Sequence, residues 1–282
     1  MQEKKRQCDG GGCGSNINTE EKSTEAETTS FGKITVIGTG PGDTGHLSKK
    51  ALEAIKNSQT VIGYSSYLRQ IDGILNGTQE ILPFNMRDEI KRCEAAIKKS
   101  MEGKDVALVS GGDAGIYGMS GLLLEIIDKK SLIGKIPVDF IPGIPAFCAA
   151  SCAVGAPIMN DFCVISLSNL LTPWEDIERR LRAASRGNFV IILYNPKSMK
   201  RKNELTIAKG ILLEDINKDR PVAIVKAAAR PTEEIVITTL ENMDKFDIIS
   251  MNTTIIIGSS NTYVKDFFMI TKRGYGNKYD LA

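Results

Sequence analysis

The feature that most constrains the fold is an alternation. From Gly32 onward, short β-branched runs, "ITVIG", "TVIGY", "DVALVSGG" and "VDFIPG", are separated by stretches with apolar residues at helical spacing, as at Leu47, Ala51, Leu52 and Ile55. Strands alternating with helices build a largely parallel sheet covered by those helices. The second half changes character. "DFCVISLS", "FVIILYN", "VAIVKAA", "EIVITTL" and "TTIIIGSS" read as strands, and between Ala228 and Glu234 only a turn around Arg230-Pro231 fits. Strands so joined pair as a hairpin, which makes the second sheet mixed. The expectation is an α/β chain of two domains, residues 31–143 with a mainly parallel sheet and residues 144–282 with a mixed one. They join near "IPGIPAF".

Three glycine-bearing loops follow strands: "GTGPGD", "SGGDAGIYG" and "IPGIPA". Open α/β sheets gather ligands at the carboxyl ends of their strands, so three such loops point to one small-molecule site. The first resembles a dinucleotide fingerprint but departs from it. Gly38 and Gly40 fit G-x-G-x-x-G, whereas the third position is Asp43 and Pro41 lies between. Pro41 has no N–H to offer an anion. Asp43 sets a carboxylate where a phosphate would sit. The turn suits close backbone approach to a ligand without phosphates.

Several side chains stand out. Gly111 and Gly112 permit close approach or positive φ. Asp113 after them either accepts hydrogen bonds from a ligand or caps the following helix. His46, the only histidine, follows the first loop and is either a general acid–base group or a surface residue. In "LLTPWEDIERRL", Thr172 reads as N-cap, Pro173 as the first helical residue and Trp174 as an anchor. Arg179, Arg180 and Arg182 read as a solvated face of that helix. Cys148 and Cys152, one turn apart, read as buried small residues rather than metal ligands. No P-loop, H-E-x-x-H or G-x-S-x-G motif is present.

The 282 residues carry a formal net charge of +2, with acids and bases interspersed. That argues against nucleic-acid binding, which needs clustered basic residues. No apolar run reaches membrane-spanning length. Residues 1–30 read as a disordered polar extension without the apolar core of a signal peptide. Cys8 and Cys13 within it are too few for a tetrahedral metal site, and no metal is expected. The default location is the cytoplasm, with the six cysteines reduced.

Taken in order, "VIGTGPGD", "SGGDAGIYG", "IPGIPA" and "LYNPKS" resemble the tetrapyrrole (corrin/porphyrin) methylases, from Phe31 nearly to the end. Within that family, "DAGIYGMSGLLLE", "DFCVISLSNLLTPWEDIERRL" and "LYNPKSMKR" look like the branch that methylates C17 of precorrin-3B or cobalt-factor III in cobalamin biosynthesis, contracting the ring. A methylase of another branch, such as one acting on uroporphyrinogen III, and a dinucleotide-dependent reductase are the alternatives. "LLTPWEDIERRL" argues against the first, and Pro41 with Asp43 against the second. The resemblance implies a homodimer of two-domain chains, each with its active site in the cleft between domains, and S-adenosylmethionine as methyl donor. Carried over residue by residue, it implies cofactor contacts at Pro41, Gly111, Gly112, Asp113 and Ile116. Pro145 and Ala146 match a usual Thr-Ala pair, with loss of the Thr hydroxyl. Asn195 and Ala228 match positions where relatives often carry Met and Gly. Arg87, Lys226 and Arg230 are candidate partners for the substrate carboxylates. His46 is the candidate for the proton transfers of ring contraction, with Tyr117 next in line.

Overall fold

Apolar runs buried on both sides set the frame of the first half. The computed structural model describes residues 30–198 and 201–281, so Cys8, Cys13 and the extension carrying them lie outside the described residues. Strands β1 (Ile34–Gly38), β2 (Thr60–Tyr64), β3 (Glu80–Phe84), β4 (Val106–Ser110) and β5 (Val138–Ile141) form one parallel sheet in the order β3-β2-β4-β1-β5. Every residue of β1 and β4 is buried, as central strands covered on both faces require. Alternation divides them. Ile34, Val36, Val106 and Leu108 pack on helices α3 (Glu89–Met101) and α4 (Met119–Lys129). Ile37, Ala107 and Val109 pack on α1 (Lys49–Asn57) and α2 (Ser65–Ile71). The Ser48 hydroxyl accepts the Ala51 N–H and starts α1, whose Ala51 and Ile55 turn inward.

The second half repeats the layering with another topology. Helix α5 (Ala146–Val154) and the short β6 (Gly155–Ala156) lead to β7 (Phe162–Ser166), α6 (Trp174–Arg186), β8 (Val190–Tyr194) and α7 (Glu204–Leu213). Strands β9 (Pro221–Lys226), β10 (Glu234–Thr239) and β11 (Thr253–Ile257) complete a sheet ordered β10-β9-β11-β8-β7. Only β7 and β8 pair in parallel, and β9 and β10 form the expected hairpin. Helices α6 and α7 cover one face with Ile177, Leu181, Leu205 and Leu212. α5 covers the other with Phe147, Ala150 and Val154, and Ile116 of the first half packs into this layer. β12 (Thr262–Lys265) and β13 (Phe268–Thr271) add a hairpin beside β6. Residues from Phe31 onward form one compact unit. Among the described residues no helix is long and apolar enough to cross a membrane.

Two sequence expectations are corrected in detail, and one strand was not anticipated. α6 starts at Trp174 with Pro173 as N-cap, so Thr172 lies outside the helix and caps nothing. Pro173 has an extended ψ of 144°, which moves the start by one residue. Cys152 is exposed, because α5 turns Phe147, Ala150, Ser151 and Val154 toward the sheet. β3 had no counterpart in the sequence reading. Pro83 interrupts its pattern, but at a sheet edge a missing N–H leaves no ladder bond unmade.

The carboxyl ends of β1, β4 and β5 meet backbone to backbone. A Cβ on Gly38 would lie 2.5 Å from the Gly143 nitrogen and 2.7 Å from the Gly112 oxygen. Gly38→Ala should therefore destabilise the fold by about 1–3 kcal/mol, as overpacking does. The shift of the urea midpoint measures this, and an unchanged midpoint would show that the loops part freely.

Candidate functional site

The order β4-β1-β5 brings two of the glycine loops side by side, and they stitch to each other. Gly40 N–H donates to the Gly112 carbonyl at 3.1 Å, and Gly112 N–H returns to the Gly40 carbonyl at 2.7 Å. Both glycines have positive φ, 78° and 65°, a region that side chains rarely tolerate. The consequence is chemical. A dinucleotide loop aims its N–H groups at a pyrophosphate, but here the Gly40 and Gly112 amides are engaged with each other and Pro41 has none to give. Asp113 locks the arrangement. One carboxylate oxygen accepts the Gly115 N–H at 2.8 Å, and the other accepts the Gly143 N–H of the third loop at 3.1 Å. α4 begins at Met119 with Gly118 as its cap, so Asp113 is not a helix cap.

The second half closes over this floor. Arg230 donates from Nε to the Pro41 carbonyl at 2.8 Å, and a Cβ on Gly42 would strike the Ala229 carbonyl. Tyr117 donates to the Val164 carbonyl at 3.0 Å. Phe147 N–H donates to the Tyr194 hydroxyl at 2.8 Å, and burial pushes the Tyr194 phenol up to about 12. The resulting cleft has a volume of about 430 Å³, within the ordinary range for small-molecule sites. Of the non-glycine residues with positive φ, Tyr117, Asn195 and Ala227 line it, while Arg87 and Ala229 adjoin the lining residues Met86 and Ala228. Left-handed backbone on ordinary residues costs on the order of 1 kcal/mol each and persists where surrounding structure enforces it, commonly at functional sites.

All nine expected cofactor positions, Pro41, Gly111, Gly112, Asp113, Ile116, Pro145, Ala146, Asn195 and Ala228, line this one cleft, as does Arg230. The other candidates divide. Arg87 sits beside it, exposed, its guanidinium in no ion pair among the described residues. Lys226 is tied to Glu234 and lies off the lining. His46 also lies off the lining, its Nδ1 2.8 Å from Asp43 Oδ1, a hydrogen bond that holds the Asp43 carboxyl below its ordinary value. Arg179 pairs with Asp176 and Arg182 with Glu178 and Glu214, as a solvated helix face would.

Sequence reasoning missed the aromatic wall. Tyr64 and Tyr67 line the cleft edge-to-face, ring centroids 5.3 Å apart. The Tyr67 ring lies on Gly111 so closely that a Cβ there would sit 2.5 Å from Cε1. Burial raises the Tyr67 phenol above its ordinary value, against the pull of Arg230 and Arg92. Tyr64 ends a recognised strand and was open to the strand-end rule. Tyr67 had no sequence signal, since only folding brings it to Gly111.

Comparisons with known proteins show what the chain is similar to. The family model of tetrapyrrole (corrin/porphyrin) methylases matches residues 33–244. A cobalt-factor III methyltransferase of Priestia megaterium is 44% identical over 89% of the chain, which spans 46% of that longer protein. A probable cobalt-factor III C(17)-methyltransferase of Salmonella typhimurium is 44% identical over 86% of the chain and 99% of its own length. A precorrin-3B C(17)-methyltransferase of a Sinorhizobium species is 37% identical over 83% of the chain and 91% of its own. The crystal structure of the methyltransferase CobJ superposes with a TM-score of 0.81 at 30% identity, covering 86% of this chain and all of that one. In fold alone, the chain also matches a uroporphyrin-III C-methyl transferase of Thermus thermophilus complexed with S-adenosylhomocysteine, at a TM-score of 0.64 and 19% identity. That match covers 80% of this chain and 97% of the other.

The Asp113 staple yields a test. Asp113→Asn keeps the size but sets an amide donor against one of two N–H groups, leaving a donor unpaired. Stability should fall by about 1–3 kcal/mol, with faster hydrogen exchange at Gly115 or Gly143. Wild-type exchange at both would mean that the carboxylate holds neither.

Proposed function

The chain belongs to the tetrapyrrole (corrin/porphyrin) methylases, and on that premise we propose that it is an S-adenosylmethionine-dependent C17-methyltransferase of cobalamin biosynthesis. Its substrate in this reading is cobalt-factor III or precorrin-3B, and methylation accompanies contraction of the ring. The observation that carries the donor assignment is the cradle itself. Its Gly40 and Gly112 amides are turned on each other, and its proline offers none. A phosphate would be poorly served there, whereas a sulfonium cation needs no N–H donors. The relatives' names and the long "LLTPWEDIERRL" stretch favour the C17 branch over others.

The donor supplies an electrophilic methyl group for in-line displacement by a ring carbon. The chain's own work is positioning, which lowers the barrier by fixing approach and distance. Pro41, Gly111, Gly112, Asp113, Ile116, Pro145, Ala146, Asn195 and Ala228 would hold the donor. Tyr64 and Tyr67 offer aromatic faces to a flat macrocycle, and Arg230 and Arg87 offer guanidinium groups to its carboxylates. Lys226, held by Glu234, is the weakest of the substrate candidates.

His46 is proposed to manage protons in ring contraction, with Asp43 fixing its Nδ1 and leaving Nε2 to act. Tyr117 is less suited to stand in, because its hydroxyl donates to Val164. The hydroxyls of Tyr64 and Tyr67 have no hydrogen-bond partner among the described residues, and Tyr67 is the better second choice. The two halves, 31–143 and 144–282, are read as the two domains flanking the site, and the chain as a homodimer. Phe267 and Phe268, exposed on the β12–β13 hairpin with ring centroids 4.2 Å apart and planes tilted by 40°, support a subunit contact. A monomer by light scattering at micromolar concentration would remove the dimer.

Turnover of cobalt-loaded and metal-free substrates with an isotopically labelled methyl donor tests the reading. Mass spectrometry should find one methyl group added per turnover and a contracted ring. Methylation at another position would transfer the chain to another branch of the family. His46→Gln should slow contraction by a factor of about 10²–10⁴ with little change in donor affinity. Wild-type rates would pass the role to Tyr67.

A further inference from the structure

The motif "LYNPKSMKR" ends in Arg201, to which nothing above assigns a role. Beyond β8, Arg201 N–H donates to the Ser198 hydroxyl at 3.1 Å and Ser198 N–H to the Arg201 carbonyl at 3.0 Å. The side chain runs back toward the cleft. Nη1 donates to the Ser168 hydroxyl at 2.8 Å, just beyond β7, and Nη2 meets the sulfur of Met251 at 3.2 Å. Met251 lines the cleft. Nε is buried and has no hydrogen-bond partner. The guanidinium has no carboxylate partner among the described residues, whereas Arg92, Arg179 and Arg186 each have one and Arg182 has two.

A part-buried cation with a neutral hydroxyl, a thioether and one orphaned donor is an unbalanced arrangement. Removing donors and charge from water is costly unless a partner repays it. The usual fork partner of a guanidinium is a carboxylate. Ser168 also begins the loop carrying Leu170 and Leu171, 69% and 94% exposed. A cation beside exposed apolar side chains suits a ligand with an apolar body and an anionic fringe.

We propose that Arg201 binds a peripheral carboxylate of the macrocyclic substrate, a contact on the second-half side of the cleft. The inference rests on the tetrapyrrole reading above. Ser168 orients the guanidinium and Met251 gives way or packs on the ring. The Nε and Nη edge then pairs with the incoming carboxylate.

Uroporphyrin III, a stable polycarboxylate macrocycle, is the probe. Its binding is followed by its own fluorescence, and S-adenosylhomocysteine binding by calorimetry, for the full chain and for Arg201→Met, Arg201→Lys and Arg179→Met. Arg201→Met should weaken porphyrin binding about tenfold to a hundredfold and flatten its salt dependence. Thermal melting and S-adenosylhomocysteine affinity should stay at wild-type values. Arg201→Lys, which keeps the charge and loses the fork, should fall between, and Arg179→Met should match wild type. Equal porphyrin affinity in wild type and both Arg201 variants would overturn the proposal while leaving the tetrapyrrole reading intact. So would parallel losses of melting temperature and S-adenosylhomocysteine affinity, the mark of a structural brace. A wild-type chain binding neither ligand would overturn the tetrapyrrole reading and this inference with it.

Discussion

The structure depends on backbone-to-backbone contact among Gly38, Gly112 and Gly143. Each stands just past or at the carboxyl end of a parallel strand, and a Cβ on Gly38 or Gly143 would collide with the backbone of a neighbouring loop. Parallel pairing of β1 with both β4 and β5 brings these ends to one edge. The close approach then lets Gly40 and Gly112 exchange hydrogen bonds and lets Asp113 reach Gly143. A floor built this way is made of carbonyls, glycine Cα atoms and short side chains, with few free N–H donors. Its chemistry follows from that inventory.

The second half depends on the first at several points. Arg230 fastens the β9–β10 turn to Pro41, Tyr117 fastens the second loop to β7, and Ile116 enters the layer under α5. These links cross from one sheet to the other and fix the width of the cleft. Ala227 and Ala229 in that turn have left-handed backbone, and the Ala229 carbonyl lies over Gly42. A site assembled from both sheets can present one face to a methyl donor and another to a large flat acceptor. A methyltransferase needs both at once.

Much of this was legible in the sequence, for identifiable reasons. The long apolar strands of the first sheet read correctly because burial on both faces leaves an uninterrupted β-branched run, as in "VALVS". The hairpin was fixed by the few residues between Ala228 and Glu234. The nine expected cofactor positions, which line one cleft, came from the family resemblance, and the strand-end rule independently pointed to three of their loops. Other parts had no local signal. β3 was hidden by Pro83, tolerable only because the strand is at an edge. Tyr67 lies on Gly111 across more than forty residues of chain, and Arg201 reaches Met251 across fifty. Such pairings are set by tertiary packing. The placement of His46 also had no local signal: its side chain pairs with Asp43 beside the first glycine loop, off the cleft lining.

The central claim is that the three glycine loops and the β9–β10 turn form one site for a donor without phosphates. Hydrogen exchange read by mass spectrometry, with and without saturating S-adenosylhomocysteine, tests it most directly. Protection should concentrate in peptides covering residues 38–46, 110–117, 142–147 and 227–231, with NADPH producing none. Protection by NADPH at these loops, or protection by S-adenosylhomocysteine confined to other segments, would contradict the account.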